Sequence, residues 1–133
     1  MRFTRLRDEI GRLEQAGTRV LHLDVMDGHF VPNMTYGLTI VEAVRKCTKL
    51  PIDAHLMISN PGDYLEQYHA AGADIITIHD EAISDPAPLL KKIRELGAAA
   101  GLAINPPTPV SKIEKLLPLC DICLLYTSPS PRD

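Results

Sequence analysis

The chain has 133 residues, 45% of them hydrophobic and 23% charged, with a net charge of −3, the make-up of one ordinary globular domain. This balance argues against a nucleic-acid binder, and no run of about 18 apolar residues marks a membrane span. Met1–Arg7 carries charge without a following apolar stretch, so no secretory signal is expected and the reading is a cytoplasmic protein with reduced thiols.

Two textures alternate along the chain. The first is amphipathic. Leu6, Ile10, Leu13 and Ala16 recur at spacings of three and four between charged residues, predicting a helix over 4–16 that stops at Gly17. The second is short, apolar and rich in Val, Ile and Leu, as buried parallel strands are. A strand is expected at 19–25, then a loop from Asp27 to Gly37, a helix at 38–47 and a strand at 52–57. Pro61 opens a helix running to 71, closed by Gly72, and a strand follows at 74–79. A helix at 86–96 ends at Gly97, before a strand at 100–104. Pro106, Pro107 and Pro109 punctuate the next turn, followed by a helix at 109–117 and a strand at 121–125.

Such alternation means parallel strands joined by crossovers, either in a doubly wound sheet or in a (β/α)8 barrel. No glycine-rich phosphate fingerprint follows the first strand, and polar residues recur at strand C-termini, which favours the barrel. The expected fold class is therefore α/β, a partial (β/α)8 TIM barrel of about five βα units. A closed barrel needs eight of each element, so the first and last strands are read as missing. An open piece of this kind exposes two apolar strand edges and is expected to aggregate or self-associate.

The chemistry concentrates at strand ends. In Leu21-His22-Leu23-Asp24-Val25-Met26, alternation puts His22, Asp24 and Met26 on one face and the aliphatic residues on the other. Ile52-Asp53-Ala54-His55-Leu56-Met57 repeats the device with Asp53, His55 and Met57. Parallel strands lie about 4.8 Å apart, so His22, Asp24 and His55 can converge on one divalent metal ion. His79, at the end of a third strand, reads as a hydrogen-bonding residue rather than a ligand. Asp53 reads as a group that pairs across strands or supports the site from outside. Asp74 and Glu81 read as structural or surface groups. Cys120-Asp121-Ile122-Cys123 is a C-x-x-C pair inside an apolar run with no second pair, and is read as reduced thiols rather than a zinc or redox site.

The stretch from Leu21 through Asp27-Gly28-His29-Phe30-Val31-Pro32-Asn33 resembles the signature of ribulose-phosphate 3-epimerases. So do Asp53-Ala54-His55-Leu56-Met57, Ala71-Gly72-Ala73-Asp74, His79-Asp80-Glu81-Ala82 and Gly101-Leu102-Ala103-Ile104-Asn105-Pro106, in the family's order. The resemblance covers roughly residues 3–125. It implies metal-dependent interconversion of D-ribulose 5-phosphate and D-xylulose 5-phosphate, a step of the pentose phosphate pathway. It makes His22, Asp24 and His55 metal ligands, Asp24 also one of two acid/base carboxylates, and Met26 and Met57 substrate-lining residues. The cofactor it implies is one divalent ion, zinc, iron, manganese or cobalt. The partner it implies is a small-molecule ketose phosphate, with no nucleic acid or membrane, in a homo-oligomeric parent protein.

The family's first strand, second catalytic aspartate, fourth ligand and phosphate-binding loops have no counterpart in the sequence, so the chain as written is expected to be inactive. Asp121 stands at the start of a strand, the wrong end for that second carboxylate. Residues 1–122 are read as an incomplete barrel domain. Residues 123–133 resemble a translated sequencing adapter and are read as a non-native tail, although Leu124 and Leu125 can coincide with a true strand. Three alternatives stand beside this reading. An allulose-phosphate 3-epimerase would show the same motifs. A decarboxylase of the same superfamily would carry Asp-x-Lys, where this chain has His22-Leu23-Asp24. A non-catalytic half-barrel relic would need no His22, Asp24 and His55.

Overall fold

The computed structural model describes residues 3–26 and 33–125. Helix α1 (Phe3–Gln15) leads into β1 (Leu21–Met26), α2 (Asn33–Cys47), β2 (Ile52–Met57), α3 (Leu65–Ala71), β3 (Ile75–His79), α4 (Ala87–Glu95), β4 (Ala99–Ile104) and β5 (Ile122–Leu125). All five strands are parallel and lie in the order β1-β2-β3-β4-β5. A doubly wound sheet reverses its strand order at a switch point. Here each new strand adds to the same side of the last, which is the order of a (β/α)8 barrel. Among the described residues the sheet is open, an α/β partial barrel.

Register assigns the two faces. Leu21 pairs with Ile52, Ala54 with Ile76, Ile76 with Ala100 and Leu102 with Cys123. These rows turn towards the helices, where Ile10, Val41, Val44, Leu65, Tyr68, Leu90, Ile93 and Ile113 complete one continuous apolar core. The opposite face carries His22, Asp24, Asp53, His55, Thr77, His79, Gly101 and Ala103, as the period of two requires. One face of the sheet holds the fold together and the other is free for chemistry.

The strand starts are clamped by a repeated device. Asp74, just before β3, accepts the amide of Ile52 (3.0 Å) and Nη1 of Arg45 (2.8 Å). Asp121, just before β5, accepts the amide of Ala100 (2.8 Å) and Nη2 of Arg94 (3.0 Å). Both aspartates stand at the end of the sheet away from the strand C-termini, so their role is structural. Arg45 also donates to the carbonyls of Gly72, Thr48 and Leu50. Gly72, with φ +124°, is required there: a Cβ would lie 2.5 Å from Cδ of Arg45.

Three local expectations are corrected. Helix α2 begins at Asn33 rather than 38. Gly37 weakens the helical pattern, yet it is needed inside the helix because a Cβ would lie 2.3 Å from the Tyr68 hydroxyl and 2.9 Å from Cγ1 of Val25. The segment opened by Pro61 is a 3-10 turn (Pro61–Asp63) separated from α3 by Tyr64. The helix expected over 109–117 is a 3-10 segment, Val110–Leu119, which includes Pro118. Strand β5 takes in Cys123, Leu124 and Leu125, while residues 126–133 and residues 27–32 of the loop expected from Asp27 to Gly37 lie outside the described residues.

Candidate metal centre

His22 and Asp24 stand on β1 and His55 on the adjoining β2, where Asp24 and His55 are direct register partners. Three donor atoms meet at one point. Nε2 of His22 lies 2.9 Å from Oδ1 of Asp24, Nδ1 of His55 lies 3.1 Å from the same oxygen, and the two ring nitrogens are 3.3 Å apart. Donors about 2.1 Å from a common ion stand about 3.0 Å apart at right angles and about 3.4 Å apart at tetrahedral angles. Two of the observed spacings fall in that interval and the third, 2.9 Å, lies just below it, so this trio could hold a metal ion, and it forms such a group among the described residues.

The surroundings supply the correct ring nitrogen. Nδ1 of His22 lies 3.1 Å from Oδ2 of Asp53, and Asp53 in turn accepts a 2.9 Å hydrogen bond on Oδ1 from the buried hydroxyl of Thr77. Carboxylates accept only, so the His22 ring can donate Nδ1–H to Asp53 or Nε2–H to Asp24, and a cation in the site would take the place of the second proton. His55 is fully buried. Burial, with His79 beside it, pushes its pKa down against the pull of the Asp24 carboxylate, which favours the neutral imidazole that a metal ion would need. Asp24 is more open, with 39% of its side chain exposed.

A second string of polar groups runs from His55 across the sheet. Its Nε2 lies 2.7 Å from Nε2 of His79, and Nδ1 of His79 lies 3.3 Å from Oε1 of Glu81. The other Glu81 oxygen accepts the Asn105 amide at 2.9 Å and the Thr108 hydroxyl. Burial pulls the Glu81 pKa upwards, but the hydrogen bonds from Thr108, Asn105 and His79 outweigh it and hold the group at about 2. His79 and Glu81 share a cleft of about 460 Å³ with Met57, Ile58, Ser59, Ala82 and Asn105.

The structure thus brings together His22, Asp24 and His55 and sets Met57 at the neighbouring cleft. Met26 is the register partner of Met57, while its side chain lies outside the described residues. His79 has the hydrogen-bonding role expected of it. Glu81 bonds Asn105 and Thr108, which arrive from beyond β4, and reaches His79, in keeping with the structural place expected of it. Cys120 donates its thiol to the Leu116 carbonyl, and burial raises its pKa to about 11, so it remains a protonated thiol.

The sequence matches the model of the ribulose-phosphate 3 epimerase family over residues 1–132. It is 48% identical over 127 residues to a ribulose-phosphate 3-epimerase of Synechocystis sp., covering 94% of this chain and 55% of that protein. It is 47% identical over 125 residues to the Bacillus subtilis enzyme of the same name, covering 94% of this chain and 58% of the relative. The Aquifex aeolicus counterpart is 47% identical over 120 residues, 90% of this chain and 54% of that protein. The chain therefore spans little more than half the length of these relatives. With the barrel strand order and the match along nearly all of its residues, the chain belongs to the ribulose-phosphate 3-epimerase family.

Proposed function

We propose that the protein from which this chain comes interconverts D-ribulose 5-phosphate and D-xylulose 5-phosphate, using a divalent ion, zinc, iron, manganese or cobalt, held by His22, Asp24 and His55. The observation that carries this reading is the convergence of Nε2, Oδ1 and Nδ1 within 3.3 Å of one another at strand C-termini. Nε2 of His22 and Nδ1 of His55 both meet Oδ1 of Asp24 there, and Asp53 stands at the other nitrogen of His22, where a carboxylate supports a ligating Nε2.

The C3 proton of the sugar lies beside a ketone, so its removal leaves an enediolate. A divalent ion bound in this site supplies Lewis acidity to the substrate oxygens as that charge develops. Asp24 is the proton-transfer group on one face of the sugar. Its Oδ1 faces the ligand cluster, its Oδ2 has no hydrogen-bond partner among the described residues, and its side chain is 39% exposed. Met57 gives an apolar, adaptable wall at the adjoining cleft. The inner faces of β3 and β4 present Thr77, His79, Gly101 and Ala103, so no second carboxylate faces Asp24 from them. We infer accordingly that the 133-residue chain by itself has little or no turnover.

The test has two parts. Titration of the chain with Zn²⁺ or Co²⁺ should show one ion per chain, lost in His55→Ala. In the parent protein, Asp24→Asn should lower epimerase kcat by about 10²–10⁴-fold. Wild-type chain that takes up no divalent ion, or a fully active Asp24→Asn parent, overturns the proposal.

A further inference from the structure

We infer that Asn105 is a specificity-determining residue whose side-chain amide binds the uncharged hydroxymethyl end of the ketose phosphate, in the cleft beside the donor trio. The inference rests on the epimerase reading above and assigns that cleft to one end of the substrate.

Charge selects which end. With the oxygens on C2 and C3 turned to the donor trio, a ketose phosphate extends in two directions, to the C1 hydroxymethyl group and to C4 and the phosphate. The cleft adjoins the trio through Met57, two residues beyond His55 on β2, and through His79, whose ring lies 2.7 Å from that of His55. Its volume of about 460 Å³ has room for either end. Among the described residues no Lys or Arg lines it, and the ionised Glu81 carboxylate does. A phosphate dianion there would meet like charge and no cation. Lys112, on the segment after β4, is not one of the lining residues and holds its ammonium 2.7 Å from the buried Asp80 carboxylate. The hydroxymethyl end carries no charge and fits.

Elimination selects the group. Ser59, His79, Glu81 and Asn105 are the polar residues of the cleft. Oε2 of Glu81 accepts the Asn105 amide and the Thr108 hydroxyl, and Oε1 faces Nδ1 of His79. The other ring nitrogen of His79 faces His55, and Ser59 is engaged as well. The side-chain amide of Asn105 has no hydrogen-bond partner among the described residues. It offers both a donor and an acceptor, as a hydroxyl does, while Met57, Ile58 and Ala82 give an apolar wall for the adjoining carbon.

The backbone holds this side chain in place. Asn105 is the next inner-row position after Gly101 and Ala103, one step past the end of β4. Its N–H donates to Glu81 at 2.9 Å, and its carbonyl accepts the Thr108 amide at 2.9 Å. The Thr108 hydroxyl on Glu81 and the Lys112 ammonium on Asp80 tie the same segment to the turn after β3. The amide is therefore presented from a fixed main chain, which lowers the ordering cost of binding.

The experiment compares D-xylulose 5-phosphate with 1-deoxy-D-xylulose 5-phosphate, which has a methyl group in place of the C1 hydroxymethyl. Both are assayed as substrates of the parent protein, wild type and Asn105→Ala, by kcat/KM. D-xylulose, which lacks the phosphate, is the third probe. The preference for the hydroxylated sugar phosphate should fall about fivefold to tenfold in Asn105→Ala, the worth of one neutral hydrogen bond. The loss caused by Asn105→Ala should be the same for D-xylulose as for D-xylulose 5-phosphate, because the phosphate lies elsewhere. Each comparison is a ratio within one protein preparation, so partial unfolding of the variant cancels.

An unchanged preference overturns the inference and leaves the epimerase reading standing. So does a loss that disappears with D-xylulose, which would put Asn105 at the phosphate. A parent protein that turns over neither phosphorylated sugar removes the epimerase reading, and the inference with it.

Discussion

Gly101→Ala links packing to the site through one atom. Gly101 is the β4 register partner of Thr77 and faces the inner side of the sheet. Its φ is not positive, so alanine meets no backbone strain, only a lack of space. The new Cβ would sit 2.3 Å from Oγ1 of Thr77, about 1 Å short of ordinary contact, with Thr77 Cβ at 3.1 Å and its backbone Cα at 3.3 Å. The backbone contact leaves the strand little room to retreat, so the hydroxyl must rotate away. It then loses its 2.9 Å bond to Asp53, and Asp53 is the group that orients His22. Overpacking costs about 1–3 kcal/mol, and losing a buried hydrogen bond to a charged group costs about 1.5–3 kcal/mol. As the two effects share one side chain, a total near 2–4 kcal/mol is expected rather than their full sum. Urea unfolding followed by circular dichroism measures that loss, and chelator competition should show a Zn²⁺ affinity lower by about tenfold or more. Gly11→Ala is the control. Its Cβ would meet nothing within 4 Å, and in a helix it should stabilise by about 0.5–1 kcal/mol. Thr77→Ala should make the further cost of Gly101→Ala smaller. A Gly101→Ala protein as stable as wild type, or strictly additive costs in the double variant, would refute the argument.

Other outcomes follow from the same structure. Arg45→Met keeps the aliphatic stem but removes donors to three carbonyls and Asp74. It should cost about 2 kcal/mol in urea unfolding with Zn²⁺ affinity unchanged, because those contacts lie at the opposite end of the strands from the donor trio. A large loss of Zn²⁺ affinity would count against that separation. Glu81 gives an acid dependence. Its folded pKa of about 2 lies below the ordinary 4.5, so the unfolded chain takes up the proton first as pH falls. Its stabilising contribution is whole above pH about 4.5 and drains away as pH drops towards about 2. Urea midpoints between pH 6 and 2.5 should fall less steeply in Glu81→Gln than in wild type, and identical slopes would contradict the assignment. Tyr68 acts at the other extreme. Burial, then the neighbouring Tyr64, lifts its pKa to about 12, so its contribution is complete below pH about 10 and lost as pH rises through about 12. Tyr68→Phe should flatten that alkaline loss in the same unfolding assay.

Much of this protein can be read along the chain. The period of two in Leu21–Met26 and Ile52–Met57 places His22, Asp24, Asp53 and His55 on one face whatever surrounds them, because side-chain alternation is a property of an extended backbone. The alternation of helix and strand is similarly local, and the glycines at 17, 72 and 97, all with positive φ, mark the helix ends in both sequence and structure. Periodicity failed where a residue's reason lay elsewhere in space. Gly37 looked like the end of a loop, yet it sits inside α2 because Tyr68 from α3 fills the room a side chain would need. Val110–Leu119 has apolar spacing suited to an α-helix, yet it is a 3-10 segment with Pro118 inside it and Ile113 buried.

What only the tertiary structure decided is register and reach. Whether Asp53 stands beside His22, and Asp24 beside His55, depends on how β2 slides along β1, and a slip of one residue would turn the ligands away from each other. Glu81 reaches His79 because the segment after β4 delivers Asn105 and Thr108 to its other oxygen. Residue identity and alternation determined which groups could serve a metal. The packing of helices on the far side of the sheet determined which nitrogen each histidine turns towards Asp24, because that packing sets the register and the register chooses each ring's hydrogen-bond partner.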